Sequence, residues 1–230
     1  MANKIFTSFP KTEYFSLKKT VLSGNPIRKE LLEGSKEEAK ALFKVNSSRP
    51  VILILGGSQG ARRINDKILE VLPDLTNNFE IIHQCGEKNY ATIKQEFKVM
   101  VSPDQEAHYR LFPFLKEPEL KQAYALADII ISRAGSGSIF EIAACGKPSI
   151  LIPLPEAAQN HQVKNAYAYA QTEAAIIIEE SNFTSRFFLE KLKLLSASPG
   201  ELQKMSEAAK KFSKPGAAKM IASYLAEYLK

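Results

Sequence analysis

Two short runs of glycine and small polar residues carry the chemistry this sequence offers. Gly135, Ser136, Gly137 and Ser138 follow an apolar run at 129–131 and precede Ile139, Ile142 and Ala143 at helical spacing. Gly56, Gly57, Ser58, Gln59 and Gly60 follow the apolar run 51–55 and precede Ile64, Ile68, Leu69 and Leu72. A helix start leaves backbone N–H groups unpaired and partially positive, and glycine lets an anion come close to them. Each run therefore reads as a phosphate cradle at a strand-to-helix bend. Neither is a Walker loop, since no Gly-Lys-Ser/Thr closes it, and neither has the G-x-G-x-x-G spacing of a dinucleotide fold. Ser58 would give its hydroxyl to a phosphate oxygen; a tight packing turn is the alternative. Glu141 is expected in the first turn of the second helix. A carboxylate set aside from a phosphate can accept hydrogen bonds from ribose hydroxyls. Ser138 and Glu141 equally have the spacing of a capping box, and both readings stay open.

Arg28 follows the turn Gly24-Asn25-Pro26. Its guanidinium forks onto phosphate with a fixed charge, although a lone arginine on a short helix is also an ordinary solvated face. Gln162 and Asn165 are three apart on one expected helix face, and amides suit sugar hydroxyls as well as caps. His83 and His108 stand isolated. The three histidines and two cysteines lack metal-ligand spacing, no Ser-His-Asp set can be argued, and no cofactor is called for.

These residues need a frame. Runs at 51–55, 80–84, 109–114, 129–131, 149–152 and 174–178 read as strands. Between them lie helical patterns at 87–98, 117–127 and 160–171, and three more helices at 184–195, 200–212 and 216–229 close the chain. Alternating strands and helices imply a parallel sheet covered on both faces, with right-handed crossovers and ligands at the carboxyl ends of the strands. Both glycine runs fall at such ends. Residues 4–9 read as a strand with nothing before it to pair with, and 20–23 as another. Pro26 suits the first position of a helix carrying Arg28 and Leu31. The Lys-rich stretch 34–50 reads as a linker. Ile221, Leu225 and Leu229 give the last helix an apolar stripe that should pack on a neighbour.

The 230 residues, 45% hydrophobic and 24% charged, suit a globular chain with a real core. No apolar run reaches the length of a membrane span, and the start lacks a secretory signal. The net charge of +6 suits phosphate ligands or an anionic membrane surface. No basic run interleaved with aromatics points to nucleic acid. Cysteines without pairing signals fit a reducing cytoplasm.

Four segments carry a resemblance. GNPIR at 24–28, ILGGSQGARRIN at 54–65, the run from AYALAD to LIPLP at 123–155, and HQVKNA at 161–166 resemble the MurG family. The resemblance implies a peripheral enzyme at the cytoplasmic face of the cell membrane that moves N-acetylglucosamine from its UDP ester to lipid I, giving lipid II for peptidoglycan. It implies a GT-B architecture, with this chain as the C-terminal, UDP-sugar-binding half, a Rossmann-like α/β domain. Residues 1–23 would then be a remnant of the N-terminal acceptor domain, 24–50 a linker and connecting helix, and 51–230 the donor domain. Carried over residue by residue, Arg28 and Ser58 contact the diphosphate, and Leu115 meets uracil through backbone groups. Ser136, Gly137, Ser138 and Ile139 line the nucleotide, Glu141 binds the ribose and Gln162 reads the sugar. The segment 116–119 is longer than usual for the family. The family's N-terminal G-G-T-G-G-H loop, with its proposed catalytic histidine, does not occur in this sequence. No catalytic residue is assigned, and the chain is expected to bind donor but to need a partner half, and the lipid-linked acceptor it holds, for transfer. A split-transferase binding module and a UDP-sugar 2-epimerase-like protein are the other readings.

Overall fold

A computed structural model describes residues 3–10, 15, 16, 18–56, 61–155 and 160–228. Six strands form one sheet: β3 (Val51–Leu55), β4 (Glu80–Gln84), β5 (Tyr109–Phe112), β6 (Ile129–Ser132), β7 (Ser149–Leu151) and β8 (Ala175–Ile177). Their order is β5-β4-β3-β6-β7-β8, and every neighbouring pair is parallel. Chain order thus runs outward one way from β3 and then the other way from β6. The boundary between β3 and β6 is the topological switch point, where the loops leaving the two strands diverge and open a crevice. Leu55 pairs with Ser132 there, so the two glycine-bearing bends leave adjacent strand ends.

The core has two layers because side chains alternate along each strand. Ile52, Ile54, Ile129 and Ile131 point into one layer with Ile64 and Ile68 of α2 (Arg62–Glu70), Ile93 and Phe97 of α4 (Glu87–Met100), and Phe188 and Leu192 of α9 (Ser185–Ser196). Leu53, Leu55 and Ile130 point into the other. It also holds Phe43 of α1 (Lys36–Phe43), Tyr124 of α6 (Glu117–Leu126), Ile142 of α7 (Ser136–Ala144) and Tyr169 of α8 (His161–Ala170). With both faces covered, β3, β4 and β6 are buried at every residue; β3 and the start of β6 read as apolar runs for that reason, whereas β4 buries Glu80, His83 and Gln84, each hydrogen-bonded.

Several expectations change. The helix after β3 is two: α2 stops at Val71 and α3 (Leu72–Asn78) restarts, because Pro73 has no N–H to continue the ladder. The stretch read as a linker is built into the body. Ser35 caps α1, and Leu31, Ala39, Phe43 and Val45 join the core. Arg110 of β5 donates to the carbonyls of Phe43 and Lys44. The first strand is not alone either: β1 (Ile5–Thr7) pairs in parallel with β2 (Thr20–Leu22) in a separate two-stranded sheet. Such a pair needs outside support. Phe9 packs on Phe140 and Phe212, and Phe6 meets Tyr224 of α11 (Ala217–Tyr228) edge-on. The stripe on α11 is only partly covered, with Leu225 still 56% exposed; Leu229 lies outside the described residues. No described helix is long and apolar enough to cross a membrane.

Candidate functional site

The crevice at the switch point is bounded first by the start of α7. Gly135, extended, is its N-cap, so Ser136, Gly137 and Ser138 form the first turn instead of a loop. Helix hydrogen bonding begins with the Ile139 N–H on the Gly135 carbonyl at 3.0 Å. The three N–H groups before it have no intrahelical acceptor. The Ser136 hydroxyl, buried at this point, has no hydrogen-bond partner among the described residues. Ile139 contributes no side chain to the crevice, since it is 0% exposed in the core. Glu141 falls in the second turn, not the first, and a capping box with Ser138 is excluded because the helix has already begun.

Glu141 instead meets Arg28. The guanidinium donates through Nε and Nη2 to the two carboxylate oxygens, both at 2.9 Å. This is a fork-on-fork pair, with the Arg28 side chain 40% and the Glu141 side chain 15% exposed. Arg28 does not ride a helix: it is the extended N-cap of a 3-10 helix (Lys29–Glu33). It is aimed by the bend before it. Gly24 sits at φ +77°, and a Cβ there would stand 2.5 Å from Lys214 Cβ and 3.0 Å from the Phe140 ring, so only glycine fits. The Tyr124 hydroxyl, fully buried, lies near the same Arg28–Glu141 pair. Burial, then the nearby carboxylate, push that phenol well above its ordinary range. Tyr124 was missed in the sequence because it reads as one more apolar position of α6.

The second bend starts at Gly56, whose N–H donates to the Gln84 carbonyl at 3.0 Å. Ser58 lies outside the described residues, as do Gly57, Gln59 and Gly60. The far end of the bend is anchored from below. Asn65 donates to the Cys85 carbonyl at 2.9 Å and faces His83 Nε2 at 3.0 Å; His83 Nδ1 meets the Tyr109 hydroxyl at 2.7 Å. Since Asn65 Oδ1 can only accept, His83 is the Nε2–H tautomer and Tyr109 donates to Nδ1. Burial lowers the His83 pKa to about 3, so this histidine is a neutral strut, not a base.

The remaining predicted residues stand on the same rim. Leu115 is 0% exposed, and its N–H is spent on Gln84 Oε1 at 2.9 Å. Of the backbone groups through which Leu115 is expected to meet a base, the N–H is thus already taken. Gln162, at the start of α8, accepts the Leu154 N–H at 3.1 Å, and Asn165 donates to the Ala134 carbonyl at 3.2 Å. These amides tie α8 to the loops after β7 and β6. Arg133, just before α7, forms an ion pair with Glu180, which also takes Arg63. That clamp spans the bends after β3, β6 and β8, and sequence spacing gave no hint of it. Among the described residues no cluster of metal-ligating side chains occurs.

Residues 51–221 match the model of the glycosyltransferase family 28 C-terminal domain. The chain belongs to that family. Its fold is the Rossmann-like C-terminal half of a GT-B glycosyltransferase. The chain is 39% identical, over 226 residues, to the UDP-N-acetylglucosamine--N-acetylmuramyl-(pentapeptide) pyrophosphoryl-undecaprenol N-acetylglucosamine transferase of Thermodesulfovibrio yellowstonii. That match covers 96% of this chain and 60% of the relative. The crystal structure of Acinetobacter baumannii MurG superposes with a TM-score of 0.74 at 25% identity, covering 98% of this chain and 61% of that one. A UDP-GlcNAc 2-epimerase from Neisseria meningitidis, bound to UDP-GlcNAc, gives 0.57 at 16% identity, over 84% of this chain and 48% of the epimerase, a likeness of fold alone. The chain thus spans about three fifths of the relatives' length.

Proposed function

We propose that this family 28 domain binds UDP-N-acetylglucosamine at the switch point, as the donor half of an inverting N-acetylglucosaminyltransferase converting lipid I to lipid II. The observation that carries this is the Arg28–Glu141 fork beside the open first turn of α7, where the buried Ser136 hydroxyl lacks a partner among the described residues. In the proposed complex the diphosphate takes the guanidinium and the free N–H groups of Ser136, Gly137 and Ser138. The ribose diol donates to the Glu141 carboxylate. The cation and dipoles then face the charge that grows on UDP as the glycosidic bond breaks. Ser58 is assigned a diphosphate oxygen, Ile139 packs the turn from behind, and Gln162 is assigned a sugar hydroxyl. Leu115 keeps only its carbonyl for the base. We keep the division into 1–23, 24–50 and 51–230 as the proposed domain plan, with α1 packed on the donor domain. The base that deprotonates the acceptor hydroxyl and the site for its lipid are assigned to a partner half, and contact with an anionic membrane at the cytoplasmic face goes with them. General-base help is worth about a hundredfold to ten-thousandfold. These 230 residues alone should therefore bind donor and transfer nothing measurable. Calorimetry with UDP and UDP-N-acetylglucosamine, beside a transfer assay with a lipid I analogue, tests this. Heat without product is expected; indifference to UDP overturns the site, and robust transfer overturns the division of labour.

A further inference from the structure

Three charged side chains meet at the carboxyl edge of the sheet. Glu180 opens the 3-10 helix Glu180–Asn182, just after β8, and its side chain is only 5% exposed. Arg133 follows the last residue of β6, and its side chain is 13% exposed. Its guanidinium pairs with one oxygen of the Glu180 carboxylate. The same Nη1 donates to the carbonyls of Ile152 and Pro153, just past β7, at 3.2 and 3.4 Å. Arg63, in the first turn of α2, donates to the other Glu180 oxygen at 2.5 Å from a largely exposed side chain.

An arginine cannot shed its charge, so a largely enclosed one needs a fixed counter-charge. Glu180 is the carboxylate that pairs with Arg133 among the described residues. An enclosed ion pair adds little net stability over apolar packing, but its geometry is strict. Here that geometry bears on one short stretch of chain. Arg133 stands two residues before Gly135, the N-cap of α7, and the free N–H groups of Ser136, Gly137 and Ser138 follow at once. The pair thus holds the entry to α7 against the chain leaving β7 and β8.

We propose that Glu180 is a positioning residue of the donor site: through Arg133 it sets the angle at which the first turn of α7 presents its N–H groups to a nucleoside diphosphate. This inference rests on the donor reading given above. The sign of the effect separates positioning from plain electrostatics. A carboxylate near a bound diphosphate repels it, so neutralising Glu180 would tighten binding if charge alone mattered. With Arg133 released from Glu180 the turn is no longer held, and binding weakens instead. Losing one charge-assisted hydrogen bond to the diphosphate costs about tenfold or more in affinity.

The test is calorimetry on the full chain with UDP and uridine, for the wild type, Glu180→Gln, Arg133→Gln and the double variant. Glutamine keeps the shape and an acceptor oxygen of Glu180 and removes the charge. Glu180→Gln should lose about tenfold for UDP but less than about twofold for uridine, which has no phosphate to misplace. In the Arg133→Gln background the same change should alter UDP affinity by less than about twofold, because the path is already cut. Unchanged or tighter UDP binding in Glu180→Gln overturns the proposal while leaving the donor site standing. So does an equal loss for uridine, which marks a general loosening. A full loss in the Arg133→Gln background marks a route other than Arg133 and overturns it too. If Glu180→Gln does not fold, Glu180→Asp decides, since it keeps the charge and shortens the arm by one methylene. A UDP loss with uridine spared then supports positioning, and unchanged UDP affinity overturns it. Failure of the wild type to bind UDP sinks the donor reading itself, and this inference with it.

Discussion

Lowering the pH from 7 to 5 should destabilise this domain through one buried histidine. The His83 ring is fully buried, and desolvation lowers its pKa from the ordinary 6.5 to about 3. Its Nε2–H is committed to Asn65 and its Nδ1 to the Tyr109 hydroxyl. Protonation would set Nδ1–H against a group that now donates. The folded state therefore refuses a proton that the unfolded state takes up below 6.5. Stability rises with pH wherever the unfolded state binds more protons, so the contribution is complete above 6.5 and is lost progressively as pH falls toward 3. Between pH 7 and pH 5 the loss works out at about 2 kcal/mol, since the unfolded ring goes from mostly neutral to mostly charged while the folded ring stays neutral. For a domain of this size that is a fall of about 4–8 °C in Tm. Urea denaturation at the two pH values measures it, in the wild type and in His83→Gln. The glutamine cannot titrate, and the subtraction cancels the other ionisable groups, so the variant should show about 2 kcal/mol less pH dependence whatever its stability at pH 7. The same pH slope in both proteins would refute the argument and place the His83 proton elsewhere.

Arg28→Ala should strip the fork from Glu141, whose side chain is only 15% exposed, at a cost of about 1–3 kcal/mol in unfolding free energy. UDP affinity should fall at least about tenfold in the same variant, with uridine affected far less, as calorimetry would read. Gly24→Ala, at φ +77° with Lys214 Cβ only 2.5 Å from the added methyl, should cost about 1–3 kcal/mol by thermal denaturation. Burial pushes the Cys85 thiol up to about 11 and the Cys145 thiol up to about 12. Neither should react appreciably with iodoacetamide at pH 8 in the folded protein, at rates about a hundredfold or more below an ordinary thiol, while both react in urea.

Much of the frame was legible because it is written in local physics. Continuous apolar runs such as VILIL announce strands buried on both faces, and their alternation with helical patterns leaves few topologies besides an open parallel sheet. Local chemistry also marked the bends at Gly56 and Gly135. The misreadings share a cause. Propensity and spacing place Arg28 on a helix, Glu141 in a first turn and residues 34–50 in a linker because they see only a few neighbours along the chain. A one-residue choice of cap at Gly135, or the docking of Phe43 against the sheet, depends on atoms far along the chain.

The order of residues was enough for the kind of fold, the strand ends that carry glycine, and the family that the four motifs resemble. Pairing came from the three-dimensional arrangement alone: that Arg28 forks onto Glu141 across 113 positions of chain, that the Leu115 N–H meets Gln84, and that His83 is a strut. The physical reason is that a hydrogen bond's worth depends on which polar groups folding brings within about 3 Å and shields from water. No spacing along the chain encodes that distance; the sheet's strand order does.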